Sequence, residues 1–191
     1  TASSRAAVRF DGVDDGLQGI TGMNFSRNST VFAVFERESS DGGYILQNSS
    51  GDGGGNWWFR NDGFYANGWV RNRDFEWGNL HVAAMSGPPG GMQAWLGYSD
   101  VSVTNSLTSA KPGRLALGGG SGQQNDPITV KIGELLVYDR VLSATEIWQT
   151  QAWLGQRYGS YAATAESPAI SPPGDLGAGN VTVTISTGEA G

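Results

Sequence analysis

The sequence lacks cysteine and lacks long apolar runs. None of its 191 residues is cysteine, which excludes disulfide bonds and thiolate metal sites. No segment approaches the roughly 20 apolar residues that a membrane-spanning helix requires, and no basic-then-apolar signal segment is visible at the N-terminus. We therefore expect no insertion into a membrane.

Histidine and basic charge are scarce as well. His81 is the single histidine, and it lies in an apolar strand pattern, which favours a core or edge histidine over a catalytic base. One histidine also excludes metal sites that use two. The net charge of −6 argues against nucleic acid as a partner, because nucleic-acid-binding proteins usually carry a basic face.

Glycine, in contrast, is abundant. The 30 glycines imply many tight turns, as a multi-stranded β protein needs. The apolar run Thr30–Glu36 predicts a central strand that is buried on both faces. Shorter apolar or alternating runs predict further strands at 6–10, 17–20, 44–47, 56–60, 64–66, 69–71, 80–85, 92–96, 101–103, 114–118 and 129–138.

One short helix follows the last of these strands. Ser143 and Glu146 have the spacing of a capping box, in which each side chain binds the backbone N–H of the other residue. Ile147, Leu154 and Tyr158 recur at helical spacing. The sequence therefore predicts a helix over about 143–158, which packs on a β domain.

Three parts of the sequence together resemble a known family. Gly133–Ile147 with Trp153–Gly159 is similar to the C-terminal signature of laminin-G-like jelly rolls, in the concanavalin A-like lectin/glucanase superfamily. Val8–Asp15 resembles the opening strand and turn of that family, and Leu115–Gly119 resembles the strand before its final hairpin. The resemblance covers roughly residues 5–160. It implies an all-β, two-sheet antiparallel β-sandwich (jelly roll) with one short α-helix on the C-terminal side and an extended C-terminal arm. The same fold hosts enzymes, lectins and structural modules.

The composition changes after the predicted helix. We expect the jelly roll to span residues 1–160 and a linker or arm rich in proline, glycine and alanine to span 161–179. A lone strand tail follows over 180–191, and its alternating residues Val181, Val183 and Ile185 would share one face. This strand is predicted to pair with a neighbouring copy, with its own domain or with a further domain; a truncated tail is the remaining alternative.

The acidic clusters do not match a glycosidase. The superfamily's glucanases carry three alternating acidic residues, and hydrolysis needs one as an acid and one as a nucleophile or base. Glu36 with Glu38, and Asp74 with Glu76, each provide two carboxylates on one strand face and lack the third. The glycine-rich run 118–122 also lacks the lysine and helix of a phosphate-binding loop.

A calcium ion is the one cation that the loops predict. Asp11, Asp14 and Asp15 are close in sequence, Asp126 lies in a polar loop, and hard cations bind several oxygen ligands from such loops. Laminin-G-like domains often hold a loop calcium, which the resemblance extends to this chain. Aspartates in such turns also bind local backbone N–H groups with no ion present. No cofactor is required.

Aromatic residues crowd into one stretch, with arginines between them. In a strand at 56–60, Trp58 and Arg60 share one face, so that half of the rings face the core and half face outward. Exposed rings stack on sugars, while arginine reaches their polar groups. Trp69 and Arg71 repeat the pattern on the next strand but one. The resemblance places these strands near the concave sheet, where lectin relatives bind glycans.

The favoured function is a non-catalytic binding or adhesion module that recognises a glycan or another cell-surface ligand through Trp58, Arg60, Trp69 and Arg71. The alternative is a structural virion protein, such as a capsid decoration, spike or tail component, or a surface-assembly module tied to copies of itself or other virion proteins by 180–186. A glycoside hydrolase is disfavoured by the missing carboxylate. We expect a location on an extracellular surface or a virion.

Overall fold

The computed structural model describes residues 6–18, 29–49, 57–66, 69–72, 75–87, 91–102, 114–119 and 126–159. Within them it contains two six-stranded antiparallel sheets and one α-helix. The strands are β1 (Val8–Asp11), β2 (Leu17–Gln18), β3 (Thr30–Arg37), β4 (Tyr44–Ser49), β5 (Trp57–Arg60), β6 (Gly63–Ala66), β7 (Trp69–Asn72), β8 (Leu80–Ser86), β9 (Gln93–Leu96), β10 (Ser99–Asp100), β11 (Arg114–Leu117) and β12 (Thr129–Tyr138), and the helix is α1 (Ala144–Tyr158). The predicted two-sheet β-sandwich with one short helix is confirmed.

The first sheet has the strand order β1-β12-β3-β8-β9-β10, and β3 lies at its centre as predicted. Ala33 and Phe35 face the core between the sheets, while Phe32 and Val34 are fully buried on the opposite face. A strand covered on both faces needs apolar residues at nearly every position. α1 packs against β8 of this sheet, and its own buried residues include Leu154.

The second sheet has the strand order β2-β11-β4-β5-β6-β7. Leu46, Phe59, Phe64 and Val70 are fully buried in the core between the sheets. Because side chains alternate along a strand, the neighbours of Phe59 in β5 and Tyr65 beside Phe64 in β6 point to the outer face of the sheet. The outer face is where the candidate site lies.

The helix begins and ends at the residues that the sequence predicted. The Ser143 N–H donates to Glu146 at 2.8 Å, and the Glu146 N–H donates to the Ser143 hydroxyl at 3.3 Å. The pKa of Glu146 is lowered to about 2, mainly by the hydrogen bond from Arg140 and secondly by the hydrogen bond from the Ser143 N–H. Gly159 ends the helix in the left-handed conformation with φ 70°, which glycine adopts without strain.

Two sequence-based expectations need comment. The strand predicted at 101–103 is wrong in position, because a tight turn after Leu96 brings Ser99 and Asp100 into register with β9, and β10 ends there.

The chain divides into two units, Thr1–Ser160 and Tyr161–Gly191. The predicted linker and tail strand, with Val181, Val183 and Ile185, lie outside the described residues and stay predictions. The described helix is too short and too polar to cross a membrane.

Candidate functional site

Three aromatic residues form a row across the outer face of the second sheet. Trp58 on β5 lies opposite Tyr65 on β6, and Tyr65 lies opposite Trp69 on β7. The alternation that buries Phe59 and Phe64 places Trp58 and Tyr65 on the outer face. We call Trp58, Tyr65 and Trp69 the aromatic row.

The rings of the row contact one another in a fixed pattern. Trp58 and Tyr65 stack with ring centroids 4.0 Å apart and planes 4° from parallel. Trp69 meets Tyr65 at 5.6 Å with planes 89° apart, and Tyr44 meets Trp58 at 5.4 Å with planes 79° apart. Each ring is therefore held upright by a neighbour, which limits its rotation and favours a preorganised surface.

Exposure rises along the row. Ala116 on β11 and Gln47 on β4 continue the row in register on the other side of Trp58, and they are 1% and 7% exposed. Trp58 and Tyr65 are half-buried, and Trp69 is 37% exposed. The row is therefore buried at the end near Gln47 and exposed at the end near Trp69, which has the most accessible ring.

A charged rim lies beside the row. Arg60 is two residues from Trp58 on the same face, and its guanidinium lies 5.3 Å from the centre of the Tyr44 ring. Its Nη2 lies 3.5 Å from the Asp126 carboxylate, and its Nε lies 3.9 Å from the Asp62 carboxylate. We call Arg60, Asp62 and Asp126 the charged rim. Burial raises the pKa of the Tyr44 hydroxyl, although the positive charge of Arg60 lowers it in part. Tyr44 therefore keeps its hydroxyl proton at neutral pH.

Backbone hydrogen bonds join the segments that carry the rim. The Tyr44 N–H donates to the Asp126 carbonyl at 3.1 Å, and the Asn61 N–H donates to the Gly43 carbonyl at 3.0 Å. The Gly43 N–H in turn donates to Oδ1 of Asn61 at 3.0 Å. These bonds fix the turn that carries Asp62 and the segment that carries Asp126 relative to β4.

The structure therefore brings together four of the eight predicted ligand or metal residues on this surface: Trp58, Arg60 and Trp69 share it, and Asp126 joins Arg60. Arg71 is paired in register with Phe64, and its side chain lies outside the described part. The sequence did not single out Tyr44, Tyr65 or Asp62. The signal available for Tyr65 was its place in the β5–β6 hairpin: the residue paired with Trp58 has its side chain on the same face as Trp58.

The predicted calcium ligands divide between two places. Carboxylate oxygens of Asp11, Asp14 and Asp15 lie within 4.8 Å of one another on the surface, and Asp126 is not in that group. Asp11 accepts a hydrogen bond from the Val13 N–H at 2.8 Å, and Asp15 accepts one from the Asp11 N–H at 3.3 Å. The geometry is compatible with both the calcium and the turn interpretations.

Glu36, Glu38 and His81, which the sequence also singled out, make structural contacts, while Asp74 lies outside the described residues. Glu38 binds Lys131 and Arg9, each at 2.6 Å, and the hydrogen bond from Lys131 is the main cause that lowers its pKa. Glu36 lies 4.0 Å from the same lysine. His81 packs against aromatic rings, and its Nε2 lies 2.7 Å from the Glu76 carbonyl.

Comparison with known proteins shows the fold. The native heptameric SAP-like pentraxin from Limulus polyphemus has a TM-score of 0.58 at 16% identity, over 76% of this chain and 81% of that one. Trypanosoma rangeli sialidase in complex with sialic acid has a TM-score of 0.59 at 13% identity, over 79% of this chain and 28% of that one. Domain 4 of AbnA, a GH43 extracellular arabinanase from Geobacillus stearothermophilus, in complex with arabinotriose, has a TM-score of 0.53 at 17% identity, over 75% of this chain and 80% of that one.

No protein-family model matches the sequence, and no curated protein matches it. At the identities above, the structural likeness is a likeness of fold. The chain shares the two-sheet β-sandwich fold of these structures, as the sequence predicted. Its assignment to the concanavalin A-like superfamily and to the laminin-G-like group stays a prediction.

Proposed function

We propose that this protein binds carbohydrate on the aromatic row and catalyses no reaction on it. The row itself carries the proposal, because three rings from successive strands stand on one face and the last of them, Trp69, is 37% exposed. Neighbouring strands are about 4.8 Å apart, so β5 and β7 are about 10 Å apart. That length accommodates more than one sugar ring.

The chemistry of the surface suits a sugar. Aromatic faces are negative and attract the C–H groups of a sugar ring, while the charged rim accepts and donates hydrogen bonds to hydroxyl groups. The likeness to an arabinanase domain solved with arabinotriose supports a carbohydrate ligand for this fold.

The absence of catalysis is part of the proposal. A glycosidase needs one carboxylic acid and one free carboxylate on either side of the scissile bond. Glu38 is engaged by Lys131 and Arg9 at 2.6 Å each, which commits it to a structural ion pair. A location on an extracellular surface or a virion belongs to the same proposal.

A glycan array tests the proposal. The intact protein should bind a subset of oligosaccharides, and Trp69→Ala should lose that signal. Trp148→Ala is the matched control, because Trp148 is 49% exposed on α1, against the other sheet. An array on which Trp69→Ala and Trp148→Ala give the same signal as the unmodified protein would refute the proposal.

The assembly alternative rests on residues 180–186, which lie outside the described part of the chain. We propose it only as a second role for the same protein, since a surface or virion protein that binds glycans gains from multivalency. Light scattering of the intact chain and of a version that ends at Ala162 tests it. An oligomer that becomes a monomer on truncation supports an assembly strand, and two monomers contradict it.

A further inference from the structure

The charged rim has a net negative charge beside the aromatic row. Arg60 contributes one positive charge, and Asp62 and Asp126 contribute two negative charges, so the three side chains sum to about −1 at neutral pH. The whole chain also carries a net charge of −6. The charge of this rim is therefore unfavourable to an anion.

Arg60 is already ion-paired within the protein. Its Nη2 lies 3.5 Å from the Asp126 carboxylate, its Nε lies 3.9 Å from the Asp62 carboxylate, and its guanidinium carbon lies 5.3 Å from the centre of the Tyr44 ring. The carboxylate or sulfate of a sialic acid, a uronic acid or a sulfated sugar would compete with Asp62 and Asp126 for this one positive charge. Hydrogen bonds that fix Gly43, Asn61 and the Asp126 backbone oppose a displacement of these two carboxylates.

The same carboxylates suit uncharged sugars. Ionised aspartate only accepts hydrogen bonds, and sugar hydroxyls are donors. The Asp126 side chain is 49% exposed, so its free lone pairs are accessible from solvent. Hydrogen bonds to a charged acceptor are among the stronger ones that proteins form.

We infer that the site selects neutral oligosaccharides and discriminates against acidic ones, because Arg60 is neutralised by Asp62 and Asp126. This inference rests on the proposed function, and it narrows the carbohydrate ligand to the uncharged class. Arg60 acts here as a positioning residue that holds the two carboxylates at the edge of the aromatic row.

Matched glycan pairs test the inference on the intact chain. Each pair is a neutral oligosaccharide and the same oligosaccharide with a terminal sialic acid, a uronic acid or a sulfate; lactose and 3′-sialyllactose are one such pair. We expect the neutral member to bind at least about 10-fold more tightly. The preference for the neutral member should narrow as NaCl rises from about 0.05 to 0.5 M, because salt screens the repulsion between the charged rim and the acidic member.

A variant with both Asp62→Asn and Asp126→Asn releases Arg60 while it keeps the shapes of the side chains. It should gain binding to the acidic members by about 10-fold relative to the unmodified protein. Thermal unfolding checks that the variant is folded, and the salt dependence of the unmodified protein tests the inference independently of any variant.

The possible failures are distinguishable. If no oligosaccharide binds, or if Trp69→Ala has no effect, the proposed function itself fails. If acidic members bind as well as neutral ones and their binding depends on Trp69, the proposed function stands and the selectivity for neutral sugars is overturned.

Discussion

Trp58 and Tyr65 stack face to face across β5 and β6, with ring centroids 4.0 Å apart. The stacked faces are closed to a ligand, so each of these rings offers a sugar only its edge and its remaining face. Trp69, edge to face with Tyr65 at 5.6 Å, is the most exposed ring of the row. The site therefore divides into a supporting pair and an accessible platform.

The first prediction concerns the supporting pair. Trp58→Ala and Tyr65→Ala should each lower the free energy of unfolding, and a double-mutant cycle should give a coupling of about 1 kcal/mol, as for other aromatic pairs. Urea unfolding of the four proteins measures it. Strictly additive effects would show that the stack contributes nothing beyond the burial of each ring.

The second prediction concerns the contact between β12 and α1. A Cβ placed on Gly133 would lie 2.7 Å from the Tyr158 ring, whose hydroxyl donates to the Gly133 carbonyl at 2.8 Å. Gly133→Ala should therefore lower the free energy of unfolding by about 1–3 kcal/mol through overpacking. Gly119→Ala is the control, since its nearest neighbours lie at an ordinary 3.8 Å. Equal unfolding curves for the two variants would contradict the packing described.

The third prediction concerns the pH dependence of stability. His81 lies 5.4 Å from the Phe35 ring and 5.5 Å from the Phe75 ring, and burial lowers its pKa below the ordinary 6.5, against hydrogen bonding to the Glu76 carbonyl. The Glu76 carboxylate also raises this pKa, and the charge of Arg37 lowers it.

The unfolded chain therefore binds a proton at His81 more readily than the folded protein does. The contribution of neutral His81 to stability is complete above pH 6.5 and is lost as the pH falls toward its folded pKa. His81→Gln should reduce the fall in unfolding free energy between about pH 7.5 and 5.5. Chemical unfolding at several pH values checks this, and parallel pH curves for the two proteins would exclude the mechanism.

The fourth prediction concerns calcium. The carboxylates of Asp11, Asp14 and Asp15 lie within 4.8 Å, and calcium at 100 times its Kd would stabilise the fold by about 2.7 kcal/mol. Asp14→Asn should abolish that effect, because it removes one of the three carboxylates. It should leave the turn intact, since Asp14 provides neither of the two turn hydrogen bonds described. Asp139→Asn is the exposed control. If calorimetry detects no heat of calcium binding and calcium leaves Tm unchanged, the prediction is contradicted and the role of these residues is to form the turn.

Local patterns in the sequence predicted the parts of the fold that depend on local physics. The unbroken apolar run around Phe32 and Phe35 identified the central strand, and the spacing of Ser143 and Glu146 identified the start of the helix. Alternation in β5 also predicted that Trp58 and Arg60 share a face opposite to Phe59, and the structure shows that the face of Phe59 is the core face.

The rest of the site depends on contacts between segments that are distant in sequence. Asp126 was assigned to a calcium site because it lies in a polar loop, yet backbone pairing of that segment with Tyr44 brings it to Arg60. Tyr44 joins Trp58 only because β4 is the neighbour of β5. Periodicity along one strand contains no information about such neighbours.

The central claim is that Trp69 forms the platform for a carbohydrate ligand. Isothermal titration calorimetry with the neutral oligosaccharide that gives the strongest array signal tests it most directly. Trp69→Ala should raise Kd by about 10-fold or more, since 1.4 kcal/mol of lost contact corresponds to a factor of ten, while Trp148→Ala should leave Kd unchanged. Equal Kd values for Trp69→Ala and the unmodified protein would contradict the account.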